Sequence, residues 1–519
     1  MKKTTLLIKI IQRIHLPLLI FLILVLDVKF VVKLFGLAFM IIYSMNFRLG
    51  LSWKKSRLPL FYALIIGLEI IKYFIITRNY SVNYMLVFCM GILQWTFSLL
   101  SIHFIKSAIE QDVSQKIHHT IRAFYALNFL VSFFFLLLLL IHPAWLSYWG
   151  QGTELNFNHP SAGDAILGIS FDASTVNASI NCFGLIYFLY KKDFLFSVLS
   201  ALVIVLCTSN IIFIFTLGIL AVMIFTVRSR QFRLRILLTA FSLVLIYIPY
   251  SPKNRQYMRD YFVQLYVVNN VKQAIDTNTY HLRGEDSMFA FEGQDSISND
   301  SSYSYNKSRF GNAVDNLVSF KNIHTDSKTG YVRIPEAIYQ SKPGKFVSFI
   351  QTFFYLKHNI KQLLFGSGIG NFSSKLAFRA SGVKTLGTYP RNFRYTSPDF
   401  AHNHLFTFRY YYEANASKHS VLNYPFSVYN QILGEYGLMG ALIFMIFYLG
   451  YFASRYRRLS YGKYLLLALL GFFMTDYCFE SFSLVILFEL FILLDIEEGM
   501  EAGTPTTRQT NQLLENRES

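Results

Sequence analysis

Apolar runs of about 20 residues, each long enough to cross a hydrocarbon core of about 30 Å, recur along both ends of this chain. They fall near residues 5–26, 30–47, 58–76, 82–103, 122–142, 173–190, 194–209, 211–227, 235–250, 431–453, 463–479 and 481–496, about twelve in all. Composition points the same way. Hydrophobic residues make up 53%, aromatic ones 17% and charged ones only 15%, with a mean hydropathy of +0.38, values that a soluble globular chain rarely reaches. The expected fold class is an all-α polytopic membrane protein. Asp27, Lys29 and Lys33 interrupt the first two runs and leave little room there for two full crossings.

Charge sets the expected orientation. Lys54, Lys55 and Arg57, then Lys106, Lys116 and Arg122, Lys191 and Lys192, Arg228, Arg230, Arg233 and Arg235, and finally Arg455, Arg457 and Arg458 recur on one side. The opposing connection at 143–172 has no Lys or Arg. By the positive-inside rule both termini are cytoplasmic, and the long polar stretch 251–430, between the ninth and tenth spans, lies on the outer face. The chain thus divides into a bundle at 1–250, a large loop at 251–430, further spans at 431–496 and a polar, disordered tail at 497–519. The basic start Met1-Lys2-Lys3 leads into a retained first span rather than a cleaved signal. A net charge of +18 is explained by these connections, so nucleic acid is not an expected partner. Cys89, Cys182, Cys207 and Cys478 all sit in apolar segments and read as buried thiols without disulfide or metal roles.

The loop has two halves. Residues 251–330 balance acid and base and are rich in Ser, Asn and Asp, as in a flexible insert. Residues 331–430 are basic and aromatic, a composition that draws phosphates or lipid headgroups at a bilayer surface. Arg333 is expected to open a helical stretch to Phe365, where free backbone N–H groups also favour an anion. Val347, Phe349, Ile350, Phe353, Phe354 and Leu356 would form its apolar, bilayer-facing stripe. Gly366-Ser-Gly368-Ile-Gly370 reads either as a tight connection or as a turn where backbone passes close to something. His402 and His404 flank Asn403 in a context read as non-helical, after Ser397-Pro398. Their spacing is poor for zinc, and they are either incidental or a general base, since imidazole titrates near neutrality. Glu435 is read as a helix-capping group or a site residue. Glu69 with Lys72, and Asp476 with Glu480, are read as interhelical structural pairs, with the lining of a lipid path as the alternative.

In order, Arg333, Leu364 to Phe372, His402-Asn403 and Leu433 to Gly440 resemble the motifs of the O-antigen ligase and polymerase superfamily of bacterial inner-membrane glycosyltransferases. Tyr429-Asn-Gln-Ile-Leu-Gly-Glu435-Tyr-Gly437-Leu-Met-Gly440 carries the closest likeness. Phe171-Asp172 with Asn177-Ala178, and Cys207 to Asn210, are looser matches that lack the family's proline and arginine. The family's His-Asn pair stands nearer the closing motif, where this chain has Phe426, so His404 and His419 stand as rivals to His402.

The resemblance implies an enzyme of the bacterial inner membrane with a periplasmic loop. Its donor would be a glycan on undecaprenyl diphosphate, and its acceptor another glycan or lipid A-core. Polymerisation of repeat units is the first expectation, ligation the second and lipid-linked glycan transport a minor third. A chain-length regulator protein is a further implied partner, and no metal or cofactor is expected. Cleaving the sugar–diphosphate bond develops negative charge on the leaving group, which arginines stabilise. Arg333 is the first candidate for that role, with Arg391 and Arg394 next. His402 would take the proton of the attacking hydroxyl, and Asn403, His404, Gly366, Gly368, Gly370 and Glu435 would contact the substrate.

Overall fold

The computed structural model describes residues 12–26, 30–43, 58–77, 79–111, 114–149, 162–250, 323–325, 331–383, 389–412 and 421–501. The expected flexible insert, apart from residues 323–325, lies outside them, as do Lys54, Lys55, Arg57, His419 and the tail from residue 502.

The first half contains α1 (Leu16–Leu26), α2 (Phe30–Tyr43), α3 (Leu58–Lys72, prolonged by a π turn at Tyr73–Thr77), α4 (Val82–Gln111) and α5 (Ser114–Ile141). It continues with α6 (Ser174–Tyr190), α7 (Phe194–Leu206), α8 (Asn210–Thr226) and α9 (Arg230–Tyr250). A short antiparallel ladder pairs β1 (His324–Thr325) with β2 (Val332–Arg333). Then come α10 (Glu336–Ser341), α11 (Gly344–His358), α12 (Ile360–Phe365), α13 (Lys375–Ser381) and α14 (398–412, widened to a π turn at Ala401–Leu405). The last elements are α15 (Val428–Ile443, running on through Phe444–Leu449 and Gly450–Ala453), α16 (Gly462–Phe472), α17 (Cys478–Ser481) and α18 (Ser483–Glu501).

This is an all-α membrane protein. Among the described residues five helices are long and apolar enough to cross a membrane: Leu58–Ile76, Val82–Glu110, Gln115–Ile141, Arg230–Tyr250 and Val428–Arg458. Leu16–Leu26, Phe194–Leu206, Asn210–Thr226 and Gly462–Phe472 are shorter apolar helices. Before its last turns α18 is apolar around its circumference except for Glu489, which accepts from Tyr62 OH (2.5 Å), and it is buried to match, packed against α4, α6 and α16. On the periphery, Phe194 and Phe225 are 82% and 85% exposed, which suits contact with hydrocarbon rather than water. Cys182, Cys207 and Cys478 are buried as expected, but Cys89 is exposed, because its face of α4 points out of the bundle.

Polar side chains bind the bundle internally. Asn128 Nδ2 donates to Asn177 Oδ1 (3.0 Å), and Asn177 Nδ2 donates to Ser132 Oγ (3.0 Å) and to the Ile166 carbonyl (3.1 Å). That network ties α5 and α6 to the turn preceding α6, where lipid offers no competing partners. At one end of the bundle Arg122 pairs with Asp193 (2.6 Å) and Lys191 with Glu498 (2.6 Å), so cations of separate connections meet there. Asp193 also caps α7 by accepting from the Phe196 N–H. Its two roles separate by substitution. Asp193→Asn keeps an acceptor for the cap and is expected to lower stability by under about 1 kcal/mol. Asp193→Ala loses both roles and is expected to cost about 1–2 kcal/mol, read from thermal unfolding in one detergent; equal losses would contradict the assignment.

Candidate functional site

A break in α15 organises the site. Ser427 caps the helix, its Oγ accepting from the Tyr429 N–H, and nearly three turns later Gly437 adopts φ +66° and interrupts the helical backbone. Carbonyls just before the break are thereby free for other donors. The Gly434 carbonyl accepts from the Ser367 N–H (2.9 Å), and the Glu435 carbonyl accepts from the Gly368 N–H (2.9 Å) and from Lys72 Nζ (2.5 Å). Glu435 Oε1 in turn accepts from the N–H groups of Phe372 (3.3 Å) and Ser373 (3.2 Å). The glycine turn is therefore seated on the break. Gly366, Gly368 and Gly370 all have positive φ, and a Cβ on Gly366 would lie 2.4 Å from the Glu435 backbone. Glu69 holds the other edge of the turn, pairing with Lys72 (2.8 Å) and accepting from the Ile369 N–H (3.2 Å).

From the turn the network runs to α14. Ser397 Oγ donates to the Asn371 carbonyl and accepts from the Phe400 N–H, fixing the start of α14 beside the glycines. His404 is fully buried, with Nδ1 3.2 Å from Ser373 Oγ and Nε2 3.3 Å from Thr352 Oγ1 of α11. Burial lowers its pKa to about 3, so it is neutral near pH 7 and braces α11 against the turn. His402, one residue past the start of the π turn, is exposed, with its ring 5.4 Å from that of Tyr331. Between the two histidines Asn403 is buried; its Oδ1 accepts from the Val332 N–H (3.3 Å) and its Nδ2 donates to the Asp399 carbonyl (2.8 Å). Asn403 thus docks β2 on α14 and brings the exposed Arg333 to the neighbourhood of His402. Asp399, three residues before His402, accepts from Tyr355 OH (2.6 Å); burial raises its pKa, opposed by that hydrogen bond and by the His402 charge.

A second polar cluster adjoins the turn. Ser374 caps α13, and Lys375 Nζ donates to both oxygens of Asp172 (3.3 and 3.1 Å) and to Ser481 Oγ (3.1 Å). Burial pushes the Asp172 pKa upward, but Lys375, with Lys33 and Arg379, holds it below its ordinary value. Glu480 accepts from the Leu376 N–H (2.8 Å) and from Gln431 Nε2 (2.6 Å). Lys33 reaches the Ser481 carbonyl (3.3 Å) and lies over the Phe482 ring.

Several expectations need correction. Arg333 does not open a helix; Ile334 precedes Pro335, which disfavours helical backbone, and α10 starts at Glu336. The histidines lie in a helix, because Ser397 caps it and Pro398 suits its first position. Glu435 is not the cap of α15, a role held by Ser427. Glu69 and Lys72 pair within one helix and hold the turn, and Asp476 and Glu480 bond to different partners rather than to each other: Asp476 takes the Tyr477 N–H and Ser481 Oγ. On α11, Ser348, Gln351 and Thr352 are buried beside Val347 and Leu356, since Asn430, Asn403 and His404 offer them partners, while Phe353 is 65% exposed. The runs expected at 463–479 and 481–496 are α16 and α18, and residues 473–482 form a polar reversal between them that carries Glu480 and Ser481.

Arg391 and Arg394 are exposed and lie near the start of α4, where Asn83 donates to the Arg394 carbonyl (3.0 Å). Sequence reasoning passed over Ser373, Lys375 and Arg379. The available signal was two cations four residues apart, directly after the glycine turn and behind a capping serine. Among the described residues no group of three or more His, Cys, Asp and Glu side chains is arranged to hold a metal. No protein-family model, curated protein or solved structure matches the chain.

Two predictions follow from this geometry. Gly366→Ala and Gly437→Ala, each at positive φ with a Cβ within 2.5 Å of backbone atoms, are expected to lower stability by at least about 2 kcal/mol. Gly67→Ala on α3, where a Cβ meets nothing within 4 Å, is expected to be neutral or slightly stabilising. The second concerns pH. Because the folded-state pKa of His404 is lowered, the unfolded chain binds more protons between the ordinary value of about 6.5 and 3, and stability falls as pH drops through that window, by up to about 1.4 kcal/mol per unit. His404→Gln should flatten that dependence in melting curves from pH 7 to 4; an unchanged slope would refute it.

Proposed function

We propose that the protein is a glycosyltransferase of the bacterial inner membrane that uses an undecaprenyl-diphosphate-linked glycan as donor and polymerises surface-polysaccharide repeat units. In this reading the termini are cytoplasmic, about twelve helices span the bilayer and the 251–430 segment is periplasmic. The observation that carries it is convergence on α14. Arg333, the His402-Asn403 pair, the glycine turn and the Glu435–Gly437 break are far apart in sequence, and all are joined by direct hydrogen bonds of their own or adjacent residues. The order of those motifs is the one that resembles the O-antigen ligase and polymerase superfamily.

The roles divide by exposure. His402 is the accessible imidazole, placed to take the acceptor's proton, with Asp399 three residues before it on the same helix. Arg333, exposed beside it, meets the charge that develops on the departing diphosphate, a task for which arginine's fixed fork of donors is suited. Arg391 and Arg394 supply a second positive region for the rest of the lipid-linked donor, and Asn403 holds Arg333 and His402 in register.

Purified protein given lipid-linked repeat units is expected to release undecaprenyl diphosphate and lengthen the glycan. His402→Ala should lower turnover by about 10²–10⁴-fold with an unchanged melting temperature, whereas His404→Ala should act through stability. Transfer to lipid A-core alone would make the enzyme a ligase. Absence of diphosphate release with every acceptor, or full activity in His402→Ala, would overturn the assignment.

A further inference from the structure

A cavity of about 620 Å³ lies between the end of α6, α7 and α9, remote from the α14 site. Its walls are mostly apolar, including Val198, Leu202, Leu238 and Ile246, which are 38–53% exposed and open it toward the surrounding hydrocarbon, with the hydroxyls of Ser197 and Thr239 turned back onto the Asp193 and Arg235 carbonyls. Two cations, Lys192 and Arg235, line it as well. They come from different elements, the α6–α7 turn and the first turns of α9.

These cations differ from their neighbours. Arg122 is neutralised by Asp193, and Lys191 by Glu498. Among the described residues the Lys192 ammonium and the Arg235 guanidinium make no ion pair or hydrogen bond, the one side-chain bond to Arg235 being from Thr239 Oγ1 to its carbonyl (2.9 Å), and Asp193, the acid nearest in sequence, is already committed to Arg122 and to the α7 cap. Lys192 takes φ 58°, the left-handed position that ends α6, where the Asp193 N–H reaches the Phe188 carbonyl (2.9 Å). From Arg235 to Ile246 α9 rises roughly 16 Å, which is close to one leaflet's half of a hydrocarbon core of about 30 Å. The groove therefore has a pair of unneutralised cations at the interfacial end and an apolar trough one leaflet deep.

We propose that this groove is a binding site for one anionic phospholipid, its phosphate between Lys192 and Arg235 and an acyl chain lying between α7 and α9. A lipid fits better than a peptide or a second copy of the chain, because the walls face the hydrocarbon and the charge sits only where a headgroup would be. The site is independent of the glycosyltransferase reading. If the short basic connections face the cytoplasm, its occupant comes from the inner leaflet, where anionic lipids attract such cations.

The test uses the full-length protein purified in detergent, with phosphatidylglycerol or phosphatidylcholine of identical acyl chains added back, bound lipid counted by native mass spectrometry and melting temperature followed in parallel. Phosphatidylglycerol is expected to be retained roughly tenfold or more over phosphatidylcholine and to raise the melting temperature further. Lys192→Gln with Arg235→Gln should abolish the preference, and Ala201→Phe, which fills the trough with both charges intact, should abolish retention. Arg228→Gln with Arg230→Gln, on the same end but outside the groove, should change neither. Equal retention of the two lipids, a preference that survives in the Lys192/Arg235 variant, retention that survives in Ala201→Phe, or equal protection by inorganic phosphate would each overturn the proposal.

Discussion

Everything around the candidate site depends on one interrupted helix. A regular α15 would consume the Gly434 and Glu435 carbonyls internally and deprive the Ser367 and Gly368 N–H groups of their acceptors. With Gly437 at positive φ, those carbonyls and the Glu435 carboxylate instead accept from Gly368, Ser367, Phe372, Ser373 and Lys72. Interrupted helical backbone inside a protein is tolerated where its freed groups are covered and bonded, and here the glycine turn is the cover. The turn and the break are thus one unit, neither of which is satisfied without the other.

Buried charge follows the same logic. Glu69, Lys72, Lys375, Asp172 and Glu480 are costly to remove from water singly, yet the first four meet an opposite charge and Glu480 accepts from the Leu376 N–H and the Gln431 amide. They gather where backbone departs from helical geometry: the π turn after α3, the glycine turn, and the reversal around α17. Irregular backbone creates unsatisfied N–H and C=O groups, and polar side chains inside the bundle are placed to meet them. This explains why Asp476 and Glu480 interrupt what hydropathy reads as two adjoining spans.

Much of the architecture was legible in the sequence because hydropathy and helix formation report the same property when the solvent is lipid. The bounds of α6, α7, α8 and α9 lie within a few residues of their apolar runs. Where the reading failed, the reason is tertiary. On α11 polar residues face inward because Asn403, His404 and Asn430, distant in sequence, wait there as partners. Ser397-Pro398 was a local signal for a helix start, and it was outweighed by the polar surroundings. The docking of β2 on Asn403 leaves no trace in composition or period, since it depends on a single side-chain oxygen.

The two histidines show why residue type alone does not assign a role. Separated by one residue on a helix, they point in different directions, and the π turn that carries them widens the local spacing. His404 lies between two hydroxyls with no access to solvent, where protonation would bury an unpaired charge; His402 stands in the open beside a strand bearing an arginine. A group that exchanges protons with an incoming hydroxyl needs both reach and a partner that tolerates its charge. Of the two only His402 has that reach: His404 is a brace inside the fold, and the base role proposed for His402 rests on its exposure.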